Sequence, residues 1–80
     1  MNHDRIHARE PSHHVDRWTV GTIESMEQRD GHCVVTVRPH EGTAVELTVT
    51  LAIRDLFVDR LGLDGESPVG ERVWYRKRGG

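Results

Sequence analysis

Cysteine is almost absent from this chain, which has one, Cys33, in 80 residues. A single thiol cannot form an intrachain disulfide, so a stapled secreted scaffold is excluded and a reducing compartment is expected. No apolar run nears the roughly 18 residues that would span a bilayer, and the start, with His3, Asp4, Arg5 and Arg9, holds no apolar export segment;. The expected location is the cytoplasm. No Gly-x-Ser-x-Gly elbow and no Gly-rich phosphate loop occurs, and nucleophilic catalysis needs a Ser or Cys within reach of a base. The chain is therefore read as no enzyme, and no motif implies a cofactor. Hydrophobic residues are also scarce, at 35%, against about 45–50% in an average domain.

The apolar residues that are present cluster, with more than half of them between Val34 and Leu63. The middle of the chain can pack, whereas residues 1–17, with His3, His7, His13, His14 and Pro11, show no sustained period and read as a flexible His-rich arm;. Charge divides the same way. Residues 18–66 carry nine acidic side chains against four basic, while 67–80 carry four basic against one acidic, within a net charge of −2. An acidic body argues against a phosphate-tracking surface, because affinity for nucleic acid rests mainly on Lys and Arg.

Residues 18–78 read as one small domain. Trp18, Val20, Ile23 and Met26 suggest a first strand over 18–27, with a bulge or bend near Gly21, and Asp30-Gly31 supplies a tight turn;. Cys33, Val35 and Val37 alternate with Val34, Thr36 and Arg38 in a second strand that Pro39 ends. Val45, Leu47, Val49 and Leu51 against Glu46, Thr48 and Thr50 give a third strand with one wet face;. The period then becomes helical over 52–61, with Ile53, Leu56, Phe57 and Leu61 on one stripe, and Gly62 stops the helix;. A last strand runs from Val69 to Arg76. The order β-β-β-α-β has too few strands for a sandwich and suits a mainly β fold, a small OB-like or SH3-like barrel with the helix plugging one end. A β-grasp fold is the runner-up.

The segments Val20-Gly21-Thr22-Ile23-Glu24-Ser25, Cys33 to Val37, Val45 to Thr50, Leu61-Gly62-Leu63 and Gly70-Glu71-Arg72-Val73 together resemble the TOBE and Mop-like small-barrel domains. That resemblance implies a fold and, in Mop-like members, an oxyanion held near the junction of third strand and helix. Thr50 and Arg54 are the residues here that match, although the expected serine and lysine are missing. Arg5-x-x-x-Arg9 resembles half of the PilZ signature, and the lack of the Asp-x-Ser-x-x-Gly run that should follow rejects that family.

Among candidate site residues, Val73 and Tyr75 share one face of the last strand, which places Trp74 on the other beside Arg72 and Arg76;. A Trp flanked by Arg has the composition of a protein-interface hot spot. The leading expectation is a non-enzymatic binding module acting through protein contact at Trp74, Arg72, Arg76 and Tyr75, as adaptor, small subunit or inhibitor. A second class is single-stranded nucleic-acid binding through Trp74, Tyr75, Lys77 and Arg78, since bases stack on aromatics beside positive charge. A third is oxyanion binding at Thr50 and Arg54. His3, with the amino terminus and two amides, has the donors of a square-planar Cu(II) or Ni(II) site. Cys33 reads as a buried structural thiol, and the acidic pairs Glu24 with Glu27 and Asp55 with Asp59 as solvated. A marginal core at this size favours a homodimer, with the third strand as the pairing edge.

Overall fold

The structure is a computed structural model that describes residues 4–13 and 15–77. Strand β1 (Arg5–His7) is followed by a 3-10 turn (Val15–Arg17), then β2 (Thr19–Arg29), β3 (His32–Pro39), β4 (Val45–Thr50), helix α1 (Leu51–Leu61) and β5 (Arg72–Arg76). All pairings are antiparallel, in the sheet order β1-β5-β2-β3-β4. The last strand in sequence thus lies between the first two. No helix among the described residues is long and apolar enough to cross a membrane.

Alternation decides which face is dry. Ile23, Cys33, Val35, Val37, Leu47, Val49, Val73 and Tyr75 point to one side and form the core with Ile6 and Phe57. Burying a side chain of this size removes about 1.5–3 kcal/mol worth of apolar surface from water. Helix α1 closes over that face. Thr50 caps it, its Oγ1 accepting the Ile53 N–H at 3.1 Å, and Gly62 ends it in the left-handed region, its N–H donating to the Asp59 carbonyl at 3.1 Å;. Leu51 belongs to the helix rather than to the third strand, because the cap fixes the boundary at Thr50. The cap also fixes the rotation: Phe57 is buried and Leu51, Val58 and Leu61 pack on the core, whereas Ile53 and Leu56, expected inside, face solvent.

The lead-in also differs from expectation. Arg5, Ile6 and His7 pair with Arg76, Tyr75 and Trp74, and Ile6 is 5% exposed. Part of the expected flexible arm is therefore a strand of the domain, giving the order β-β-β-β-α-β. The backbone ladder does not close between β1 and β4, so the fold is a curved mainly β sheet with one helix, and a closed barrel is not formed by hydrogen-bonded strands. Side chains bridge the gap instead. The Thr48 N–H of β4 donates to Asp4 Oδ2 at 2.9 Å, and Lys77 Nζ donates to the same oxygen at 3.4 Å and to the Glu46 carbonyl at 2.6 Å. These occupy the Thr48 N–H and the Glu46 C=O, one donor and one acceptor of the β4 edge that a second copy would use for strand pairing;.

At Gly21 the strand is unbroken, and the register shift falls later, between Ile23 and Ser25. The glycine instead permits close approach to β3: a Cβ there would sit 2.6 Å from Val37 Cγ1 and 2.9 Å from the Arg38 carbonyl oxygen. An added methyl usually stabilises through the unfolded state, but overpacking costs more. Gly21→Ala is expected to lose about 1–3 kcal/mol in urea denaturation, and an unchanged or raised midpoint would refute the close packing.

The Asp4 bridge gives a second expectation. Lys77 is half exposed, so its ion pair contributes little;, whereas the bond to a backbone N–H is charge-assisted and shielded. Asp4→Ala should therefore lose about 1–3 kcal/mol, the range for losing a hydrogen bond to a charged group. Asp4→Asn, which keeps an acceptor, should lose clearly less. Equal losses in thermal melts of the two variants would make the ion pair, and not the Thr48 bond, the stabilising contact.

Candidate functional site

Strand β5 sends its side chains alternately to two faces. Val73 and Tyr75 enter the core, at 0% and 5% exposure, while Arg72 and Arg76 are exposed on the outer face with half-buried Trp74 between them. The neighbouring strands extend this outer row. His7 of β1 and Val20 of β2 lie directly across from Trp74, and Arg5 lies across from Arg76. Trp18, just before β2, meets the His7 ring edge-on, with centroids 4.5 Å apart at 63°. The centre of the outer face is thus aromatic and its borders are arginine.

The charge around it is unbalanced. Among the described residues, none of Arg5, Arg72 and Arg76 has a carboxylate within salt-bridge distance, whereas Arg29, Arg38, Arg54 and Lys77 each have one. Arg5 opposite Arg76 is a like-charge cross-strand pair, an arrangement that costs a sheet stability.

The expected site residues divide accordingly. Arg72, Trp74 and Arg76 are brought together as the alternation of the strand implied. Tyr75 is not with them, since it fills the core, and burial pushes its phenol above the ordinary value. Lys77 is engaged by Asp4 and the Glu46 carbonyl, and Arg78 and His3 lie outside the described residues. The four residues expected to bind single-stranded nucleic acid therefore do not form one platform. Thr50 uses its hydroxyl to cap α1, and Arg54 binds the Asp55 carboxylate through Nε at 2.9 Å and Nη2 at 2.7 Å. Both expected oxyanion ligands are thus already partnered. Cys33 is 1% exposed, and burial raises its thiol, against the opposing pull of the Arg54 charge and with a smaller push from Asp55. Glu24 pairs with Arg38. Among the described residues no group of three His, Cys, Asp or Glu is placed to hold a metal ion.

The sequence reading missed His7 and Trp18 as neighbours. The only available signal was the alternation Arg5-Ile6-His7, three residues long, with a partner strand some seventy residues away.

His7 titrates below its ordinary value because of partial burial first and then the positive charges of Arg60 and Arg5. The unfolded chain consequently takes up the proton more readily than the folded one. The stability associated with neutral His7 is complete above the ordinary imidazole value of about 6.5. It declines as pH falls through that value and levels off once the folded imidazole is also protonated. Comparing urea midpoints of the wild type and His7→Gln between pH 8 and pH 5 (about 3 units spanning the imidazole range) isolates this effect. The variant should show the shallower decline on the acid side, and parallel curves would remove His7 as a source of acid sensitivity.

Comparison with known proteins gives one family. The model described as "Family of unknown function (DUF7861)" matches residues 1–77. No curated protein and no solved structure matches the chain.

Proposed function

The chain belongs to the family whose model it matches over residues 1–77, and on that premise we propose that it is a non-enzymatic binding module that acts through protein contact. The surface is the outer face of the sheet around Trp74, and the partner presents an acidic patch. The observation that carries this reading is the row Arg72–Trp74–Arg76 with Arg5 opposite Arg76, exposed and without carboxylate partners among the described residues.

Trp and Arg are the residue types that most often dominate interface energetics, because each offers a large contact area together with a polar or cationic edge. Acidic groups set against the arginines would steer encounter and fix register. A second copy of this chain is a poorer occupant. A two-fold interface would bring Arg72, Arg76 and Arg5 against their own equivalents, and the β4 edge on which dimerisation was expected is bridged by Asp4 and Lys77. The chain is accordingly expected to sediment as a monomer.

The test is photocrosslinking from position 72 in extract of the source cells, with mixed single-stranded oligonucleotides titrated over a range of salt in parallel. The expected result is a discrete protein adduct that falls about tenfold with Trp74→Ala or Arg76→Glu, the loss typical of an interface anchor. An adduct indifferent to both substitutions would refute the surface. Oligonucleotide binding that is salt-dependent and requires Trp74 would replace the protein partner by nucleic acid.

A further inference from the structure

A groove of about 360 Å³ opens between the end of β1 and the last turn of α1, lined by His7, Ala8, Arg9 and Arg60. It lies beside the outer aromatic row and shares His7 with it, while the chain leaving β1 supplies Ala8 and Arg9 and the helix supplies Arg60. We propose that this groove binds a phosphate monoester, with Arg9 and Arg60 holding the phosphate oxygens from two sides.

Three observations lead there. First, Arg9 and Arg60 come from segments about fifty residues apart, and among the described residues neither has a carboxylate partner. Two arginines lining one groove with no described carboxylate at salt-bridge distance are like charges, and an anion bound between them would offset their repulsion. Second, each guanidinium presents a planar fork of N–H donors. Two forks arriving from separate elements suit a tetrahedral dianion, whose three terminal oxygens serve both, better than a carboxylate, whose two oxygens one fork can satisfy.

Third, the groove wall includes a half-buried His7 whose ring is set by the edge-on contact with Trp18. Burial and the charges of Arg60 and Arg5 keep this imidazole neutral more readily than an exposed one. A neutral imidazole has one N–H to donate, and a dianion placed beside it restores its affinity for a second proton. The groove volume lies within the range of small-ligand sites and exceeds what a bare phosphate fills, leaving room for the esterified group;.

The proposal does not depend on the protein-contact reading. Ala8, Arg9 and Arg60 are outside the Trp74 row, so Trp74→Ala should leave phosphate binding intact, and Arg60→Gln should leave the photocrosslink intact.

The test uses the full chain labelled with nitrogen-15 and titrated with O-phosphoserine at constant ionic strength. Saturable shifts are expected at the amides of Ala8 and Arg9 and at the His7 ring. Because each variant removes charge-assisted bonds from an exposed residue, Arg9→Gln and Arg60→Gln should fold normally and weaken binding about tenfold or more. Arg29→Gln, on a distant hairpin, should change nothing. A short phosphoserine peptide distinguishes the two sources of the ligand: tighter binding than O-phosphoserine points to a phosphorylated protein segment, and equal binding points to a small phosphate ester. Shifts that rise without saturation, or saturate equally with serine, or persist in the double variant Arg9→Gln/Arg60→Gln, would overturn the proposal.

Discussion

A sheet that curls without closing leaves two edges with unpaired N–H and C=O groups, and such edges invite pairing with other chains. Here the edges of β1 and β4 are joined by the carboxylate of Asp4, which sits beside β1 and accepts the Thr48 N–H of β4. Burying a carboxylate is costly unless it is hydrogen-bonded, and Asp4 is among the buried residues. The bond to the backbone therefore both offsets the desolvation of the acid and satisfies an edge donor. Lys77 adds a second link, from the segment after β5 to the Glu46 carbonyl. With both edges tied, the curvature that gathers Ile6, Leu47, Val49 and Phe57 into one core is held at its seam.

The same five residues of β5 serve the interior and the surface. Val73 and Tyr75 are committed to the core, which leaves Arg72, Trp74 and Arg76 in fixed outward positions on a strand held from both sides. A contact residue presented from such a strand loses little conformational freedom on binding, unlike one on a loop. The neighbours of Trp74 come from the first and second strands, so the face assembles only when the lead-in is docked.

Much of this was legible beforehand, for reasons that differ by element. The alternation from Val45 to Thr50 and from Cys33 to Val37 names both the strands and their dry faces, because period two admits one assignment. Trp74 was placed outward by the same logic. The helix was legible in extent but not in rotation: its apolar residues surround much of its circumference, so periodicity selected Ile53 and Leu56 when the Thr50 cap turns Leu51 and Val58 inward. The strand at Arg5–His7 was hidden, since three residues carry no period and its strand partner, β5, lies some seventy residues away. The groove was hidden for the same reason, because Arg9 and Arg60 become neighbours only once that strand has docked.

The central place of β5 bears on how the chain is made. Strand β3 pairs with β2, β4 pairs with β3, and the helix follows β4 directly, so these elements can form in the order in which they leave the ribosome. Strand β1 emerges first and has no neighbour until β5 arrives between it and β2. Contacts of such long sequence separation cannot form early. Arg5, Ile6 and His7 therefore have no strand partner until residues 74–76 are available. A chain cut short before residue 72 would lack the strand that bonds to both β1 and β2, and with it the core side chains Val73 and Tyr75. One strand, β5, is therefore the hinge of assembly: until it is in place, β1 has no strand partner and β2 is paired on one side alone.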